Sequence, residues 1–431
     1  MKFLAGGVDG PRVRPDGNRY DCDRSSGKGS AELAVSITYT LLSPWAALAA
    51  VGASAAVAYL ICHVADLELS NVGRLGCIDG VRGMLALCVL FHHYVHAYVF
   101  HVSGQWTPDH SRFYKVIGPD SVLFFFMITG YLFWDKLLAQ RGTVDWRKLY
   151  LSRIFRVVPL YWVAVAIIVF FVFSTGLPGI HVPIATLLDE IADWLFFYGT
   201  PDVNAYSDTS RIVAKVTWTL RYEWMFYLSL PFLALVLRAS RRTPSILWQF
   251  AAAILALALL RINVPHLNVN TAFGLYFLVG ALAAAANRRE AYRRIARKPW
   301  VSVVVIAAVA VLLTCFDSAY GFRSGVVIAA IFVPIALGNS IFGLLTLRPF
   351  LLLGEISYSV YLIHGAILFV AFDLLFPRFM STATSPLALN AGLSAVAAVA
   401  VLIAWATFTV VEKPCIDIGH RVSGARKLHA A

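Results

Sequence analysis

Long apolar runs separated by short polar segments dominate this chain. The runs lie near residues 45–65, 78–100, 118–138, 155–175, 213–237, 246–261, 268–286, 299–316, 324–345, 350–372 and 388–411. A helix of about 20 apolar residues is long enough to cross the hydrocarbon core of a bilayer. The pattern predicts an all-α polytopic integral membrane protein with about ten core transmembrane helices and one extra apolar segment before them. The run 191–199 is too short to span and is expected to lie in the membrane interface.

The same pattern divides the chain into four parts. Residues 1–31 form a polar tail that we expect to be disordered. Residues 32–76 hold the extra apolar segment and a linker. The main membrane domain is predicted over residues 77–415, and residues 416–431 form a basic cytoplasmic tail.

Composition and charge support a membrane protein and give it an orientation. The chain has 431 residues, of which 59% are hydrophobic and 14% charged, so a soluble globular class is excluded. The net charge of +12 does not indicate nucleic-acid binding, because the basic residues crowd alternate loops, at 139–156, 238–245 and 287–298, and the tail after Glu412. By the positive-inside rule these segments face the cytoplasm, and the helix over 78–100 starts from the cytoplasmic side. The protein is expected in the cell membrane, which is the inner membrane if the protein is bacterial. Six scattered cysteines predict neither a disulfide framework nor a metal site.

The run from Cys77 to Tyr98 contains ionisable residues that are costly in a membrane. Arg82 and His93 are eleven positions apart, which is three helical turns plus roughly 20°, so they share one helix face about 16 Å apart in depth. Ionisable residues at membrane depth are functional candidates by default. His92 projects to another side and is expected to be structural, whereas His96 returns to nearly the same face as His93.

Five further segments carry polar or special residues in apolar surroundings. After DGVRGMLALCVLFHH, the chain holds, in order, FFFMITGYLF (124–133), SRIFRVVPLYW (152–162), WTLRYEWMFYLSLP (218–231), LGEISYSVYLIH (353–364) and VEKP (411–414). Together these motifs resemble the acyltransferase-3 family of membrane O-acyltransferases, and the resemblance covers roughly residues 77–415. Thr129 and Thr219 stand where the family has serine. An acidic residue often precedes the paired phenylalanines in the family, whereas this chain has Leu123 or Phe124 there and Asp120 further upstream.

The resemblance implies transfer of an acyl group from cytoplasmic acyl-CoA, with acetyl-CoA as the expected donor, to a hydroxyl of a polysaccharide, lipopolysaccharide or lipid-linked sugar. Arg82, Arg153 and Arg156 are the candidates for binding the donor phosphates, because guanidinium groups bind phosphate bidentately and stay charged. His93 is the catalytic candidate, either as a general base or as a transient acyl carrier. Glu223 is the second catalytic candidate. Three roles are open for its carboxylate: it orients His93, it positions the acceptor hydroxyl, or it pairs with Arg221.

Other residues in these motifs are expected to support the site rather than to react. No metal is expected, and the remaining partners are membrane lipids, with a homo-oligomer left open. The supporting candidates are Asp79, His96, Thr129, Gly130, Trp218, Tyr358 and His364.

Two other functions remain open from the sequence. A transporter or exporter that couples proton movement through His93 and Glu223 would also need buried ionisable residues. Against it, the chain shows no clear internal repeat of the kind common in transporters. A non-catalytic binding member of the family is the third interpretation, and the presence of Arg82, His93 and Glu223 argues against it.

Overall fold

A computed structural model describes residues 43–67, 73–107, 111–239, 273–316, 322–376 and 385–424. Over these residues the chain is helical and forms no strand, which confirms the all-α class. The predicted polar tail 1–31 and the predicted helix over 246–261 lie outside the described residues, as do residues 32–42 of the extra segment, 268–272 of the next run and 425–431 of the basic tail.

Fourteen α-helices are present in the described part of the chain. They are α1 Pro44–Val64, α2 Gly73–Ser103, α3 Arg112–Ala139, α4 Trp146–Thr175, α5 Ile184–Leu195, α6 Trp218–Ala239, α7 Gly274–Ala286, α8 Glu290–Ala296, α9 Pro299–Cys315, α10 Phe322–Ala336, α11 Arg348–Glu355, α12 Ser357–Phe369, α13 Pro386–Thr407 and α14 Lys413–Val422. Short 3₁₀ helices cover Thr209–Val213 and Leu344–Thr346, and π-helical turns cover Val370–Leu375 and Phe408–Glu412.

Six stretches of the described chain are long and apolar enough to cross a membrane. They are Pro44–Val64, Gly76–Ser103, Arg112–Ala139, Trp146–Thr175, Ser357–Leu375 and Pro386–Val422, and the pair α8 and α9, bent by 67°, would make a seventh. Helix α4 directs large apolar side chains outward, including Phe170 at 64% exposure. An apolar outer surface of this kind suits lipid rather than water. The protein is therefore an integral membrane protein, while the count of about ten helices stays a prediction.

Three predicted runs differ from the observed helices. The run 324–345 is not one helix, because α10 ends at Ala336 and Gly338 then adopts a positive φ of 99°. The run 350–372 is broken at Ile356 into α11 and α12. The run 213–237 becomes helical only at Trp218. Residues 191–195 of the short run 191–199 belong to α5, a 12-residue helix that ends at Leu195 and is itself too short to span.

Helix α2 lies at the centre of the bundle, in contact with α3, α10, α11 and α12. Helices α3 and α7 cross closely, because each places a glycine against the backbone of the other. A Cβ atom on Gly130 would lie 2.1 Å from the carbonyl oxygen of Phe277, and one on Gly280 would lie 2.0 Å from that of Met127. Small residues allow membrane helices to approach this closely.

Helix α1, formed by the extra apolar segment, packs on the side of the bundle against α11 and α13. Ser43 caps it by accepting a hydrogen bond from the backbone of Trp45, and the hydroxyl of Tyr114 donates to the Ser43 carbonyl. This helix therefore covers the domain without contributing to the cavity described next.

Candidate functional site

The unbroken helix α2 carries the first two candidate residues. Arg82 and His93 both lie within Gly73–Ser103, so the predicted face is shared and the side chains start about 16 Å apart along the axis. Arg82 lies at what we call the basic end of the bundle, together with Arg153 and Arg156, and His93 lies deeper. Asp79, one turn before Arg82, accepts a hydrogen bond from its guanidinium at 3.3 Å.

A cavity of about 270 Å³ opens among α2, α3, α4, α6 and α12 at the basic end. Four cationic side chains reach it, Arg82, Lys136, Arg153 and Arg156, and Glu223 is the acidic residue in its wall. Its other lining residues are Val122, Phe125, Phe126, Ile128, Thr129, Leu132, Phe133, Leu149, Ser152, Val157, Thr219, Leu220, Tyr227, Ser357, Tyr358 and Tyr361. The cavity thus joins a cationic entrance to an apolar and hydroxyl-bearing interior.

Two of the cavity arginines have neighbours that hold their side chains in place. The side chain of Arg82 is only 16% exposed and forms an ion pair with the carboxylate of Asp79. The guanidinium of Arg153 lies over the ring of Phe133, 5.2 Å from its centroid, an arrangement that stabilises a cation. Three guanidinium groups around one opening can bind a polyanion through charge-assisted hydrogen bonds.

Glu223 lies in the cavity wall with two hydroxyl donors. The hydroxyl of Tyr227 donates to one carboxylate oxygen at 3.1 Å, and that of Thr129 lies 3.5 Å from the other. The expected pairing with Arg221 is not observed, because Arg221 donates to the carbonyl of Tyr198 instead. On an α-helix, residues two apart point in different directions, which explains the difference. Glu223 therefore shares the cavity wall with Arg82, Arg153 and Arg156.

His93 lies in a group of histidines beyond the cavity. Its Nδ1 is 3.0 Å from the carbonyl oxygen of Val89 and 3.1 Å from Nε2 of His364. The Nδ1 of His364 is in turn 3.1 Å from the carbonyl of Val360. A carbonyl only accepts, so each Nδ1 must carry the proton, and Nε2 of His364 accepts from His93. This arrangement leaves Nε2 of His93 with a free lone pair, as a base or nucleophile requires.

His92 and His96 complete the histidine group. His92 has its Nδ1 2.6 Å from the carbonyl of Tyr114, and its ring packs on Gly118, which fits the expected structural role. The ring of His96 lies between those of His92 and Trp106 in tilted arrangements, with centroids 4.3 and 5.3 Å away. Trp106 also lies parallel to His93 at 6.3 Å. The indole therefore covers the histidines on the side away from the cavity.

A layer of side chains separates the cavity from His93. Phe125 and Tyr361 line the deep end of the cavity, with ring centroids 6.1 Å apart in an edge-to-face arrangement. Tyr361 lies three residues before His364, and their rings are 6.2 Å apart. Neither His93 nor His364 is among the cavity-lining residues. The two groups of candidates are therefore neighbours, because Tyr361 lies in the cavity wall and next to His364.

The remaining sequence candidates take other positions. Tyr358 lines the cavity and donates to the carbonyl of Val157 at 2.8 Å. Trp218 does not line it but packs among Phe126, Tyr222 and Phe273, which makes it a packing residue. Gly130 belongs to the crossing of α3 and α7, and Asp120 is buried at 5% exposure in α3 outside the cavity lining.

The structure adds residues that the motif analysis did not select. Tyr227 lies four residues after Glu223 on α6 and donates a hydrogen bond to it, and Tyr361 lies one turn before His364. Helical spacing from the two candidates could therefore have identified both tyrosines. Lys136 follows Thr129 by two turns of α3 and reaches the same cavity. Glu412 of the VEKP motif is only 1% exposed and accepts from the hydroxyl of Ser359.

Metal ligation has little support in this part of the chain. Among the described residues, no group of three or more histidine, cysteine, aspartate or glutamate side chains is arranged to hold a metal ion. Five cysteines fall within the described ranges, and all five are free thiols.

Comparison with known proteins assigns the family. The acyltransferase-domain profile matches residues 75–409, which is most of the chain. The chain is also similar to the exopolysaccharide production protein ExoZ of Rhizobium meliloti (strain 1021), with 31% identity over 114 residues. That alignment covers 26% of this chain and 32% of ExoZ. No solved structure matches. The profile match, in a helical membrane bundle, means that this chain belongs to the acyltransferase-3 family.

Proposed function

We propose that this protein is a membrane-bound O-acyltransferase that moves an acyl group, with acetyl as the expected one, from cytoplasmic acyl-CoA to a hydroxyl of a cell-surface or lipid-linked carbohydrate. The observation that carries the proposal is the cationic cavity placed directly below a histidine with a free Nε2. A phosphate-bearing donor and a basic catalyst are the two requirements of this chemistry, and the cavity wall at Tyr361 adjoins His364, which contacts His93.

The donor half of the proposal rests on charge and length. Coenzyme A carries phosphate groups at one end and its thioester at the end of a long flexible arm. The guanidinium groups of Arg82, Arg153 and Arg156 would bind the phosphates at the basic end, which we place in the cytoplasm. The separation of about 16 Å between Arg82 and His93 along α2 suits an extended arm that carries the thioester towards the histidine.

The transfer step would use His93. Its Nε2 accepts the proton of the acceptor hydroxyl while the oxygen attacks the thioester carbonyl, and the imidazolium returns this proton to the CoA sulfur as the carbon–sulfur bond breaks. Alternatively, Nε2 attacks the thioester first and displaces CoA as the thiolate, and the hydroxyl then takes the acyl group from the acyl-imidazolium while its proton passes to the thiolate or to solvent. In both routes the imidazole becomes positively charged, and the Nδ1 proton shared with Val89 and His364 stabilises that charge.

Glu223 would serve the donor side of the site. Its carboxylate is held by Tyr227 and Thr129 and shares the cavity with the arginines. We propose that it fixes the orientation of the guanidinium groups that bind the donor. The acceptor would come from the opposite end of the bundle. The match to a part of ExoZ, whose name refers to exopolysaccharide production, supports a carbohydrate acceptor.

The test is acetyl-CoA turnover by the purified protein in detergent with a polysaccharide or lipid-linked sugar extract. His93→Ala and Arg82→Ala are compared with His63→Ala and Arg141→Ala, matched changes at exposed residues outside the cavity. We expect the first pair to abolish CoA release and the second pair to retain it. Retention of release by folded His93→Ala would contradict the proposed chemistry. Proteins that are all inert towards several acyl-CoA donors, but carry protons or a solute across vesicles, would favour a transporter.

A further inference from the structure

The deep end of the cavity is closed by an aromatic pair with no assigned role. On α3 the cavity-lining residues run from Lys136 at the basic end to Phe125 and Val122 at the deep end. On α12 they run from Ser357 to Tyr361, and the next residue on that face, His364, is outside the cavity. The pair Phe125–Tyr361 therefore lies at the end of the cavity that is nearest to His364.

Tyr361 is held in this position by hydrogen bonds from α6. Its hydroxyl donates to the carbonyl of Val216 at 3.0 Å and lies 2.8 Å from the hydroxyl of Thr219. Thr219 itself donates to the same carbonyl at 3.1 Å. Since Tyr361 is only 8% exposed and tied at its far end, it forms the fixed side of the barrier.

Phe125 forms the other side and has no polar group to tie it. Its ring is half-buried and meets Tyr361 edge to face at 6.1 Å. An acyl group on its way to His93 must pass this ring or stop against it. The space at this contact therefore limits the length of acyl chain that can reach the histidine.

We propose that the Phe125–Tyr361 pair selects the acyl group by closing the deep end of the donor cavity to all but short chains. This inference rests on the proposed function and names the residue, Phe125, that sets its donor class. Replacing Phe125 with a small residue extends the apolar cavity in the direction of His93 and admits additional methylene groups.

The test measures binding of two unreactive thioether analogues, S-ethyl-CoA and S-hexyl-CoA, by titration calorimetry with the full-length protein in detergent. For wild type we expect tighter binding of S-ethyl-CoA. For Phe125→Ala we expect the ratio of the two dissociation constants to shift by about tenfold towards S-hexyl-CoA, which corresponds to burial of about two further methylenes. Phe125→Leu, the milder change, should shift the ratio in the same direction by less.

Leu132→Ala provides the matched control. Leu132 lines the same cavity seven residues further along α3, on nearly the same helix face and two turns nearer the basic end. Its truncation enlarges the cavity away from the barrier and should leave the ratio unchanged. Three results would overturn selection by Phe125 while leaving the donor site intact. They are an unshifted ratio in both Phe125 variants, an equal shift in Leu132→Ala, and tight binding of S-hexyl-CoA by wild type. Absence of binding of either analogue to wild type would instead overturn the donor site and the proposed function with it.

Discussion

Replacement of His364 by alanine is expected to lower kcat without changing the KM for acyl-CoA. His364 is fully buried and touches His93 but does not line the cavity. The substitution therefore leaves the donor-binding surface intact. It removes only the acceptor that lies 3.1 Å from Nδ1 of His93.

The magnitude follows from the charge that His93 acquires during transfer. A hydrogen bond to a charged group contributes about 1.5–3 kcal/mol, and each 1.36 kcal/mol is tenfold in rate. Loss of the His364 acceptor should thus reduce kcat by about 10- to 100-fold. The reduction stays below the full effect of losing His93, because the carbonyl of Val89 still accepts from Nδ1 at 3.0 Å.

The assay is CoA release at saturating and limiting acyl-CoA, which separates kcat from KM. His364→Gln tests the physical reason, because its amide oxygen can accept from Nδ1 and should restore part of the rate. A folded His364→Ala protein with the kcat of wild type would refute the reasoning. So would a loss confined to KM, since that would place His364 at the donor rather than behind the histidine.

Two further predictions concern stability, measured as the midpoint of thermal unfolding in detergent. Gly130→Ala should lower the midpoint, because its Cβ would lie 2.1 Å from the Phe277 carbonyl and overpacking costs about 1–3 kcal/mol. Gly52→Ala, with no atom within 4 Å of its Cβ, should leave the midpoint unchanged or raise it. Asp373→Asn should also lower it, because Arg211, 12% exposed and 2.7 Å from Asp373, would lose its partner at a cost of about 3 kcal/mol.

The control for the Asp373 prediction is another ion pair on the same side of the bundle. Lys215 and Asp208 lie 2.8 Å apart, but their side chains are 41% and 37% exposed. An exposed pair contributes at most about 1 kcal/mol, so Lys215→Gln should change the midpoint little. Equal losses in Asp373→Asn and Lys215→Gln would show that burial does not decide the contribution of these pairs.

Periodicity and helix geometry predicted the membrane class and one feature of the helix that carries Arg82 and His93. The spacing of Arg82 and His93 predicted a shared face, because α2 is one uninterrupted helix. The apolar runs predicted the membrane class, since a spanning helix must satisfy its own backbone and cover it with apolar side chains. Helix ends were predicted less well, as in α10, where the positive φ of Gly338 ends a helix that hydropathy alone would continue.

Contacts between distant segments were beyond the reach of the sequence. His93 and His364 are 271 residues apart, and only the packing of α12 on α2 places their ring nitrogens in contact. Thr129 could not be assigned as a partner of Glu223 from spacing, because their contact depends on the rotation of α6 against α3. Similarly, the packing role of Gly130 becomes evident only when the backbone of α7 is seen to lie against it.

The sequence by itself determined the family, the helical membrane class and which residues are ionisable at membrane depth, because these depend on composition and on order along one helix. The tertiary structure decided which of those residues share a cavity. It placed the arginines with Glu223, put His93 beside His364, and separated the two groups by Phe125 and Tyr361. Such an arrangement depends on how helices rotate and cross, which is set by close packing among many side chains at once rather than by any local pattern.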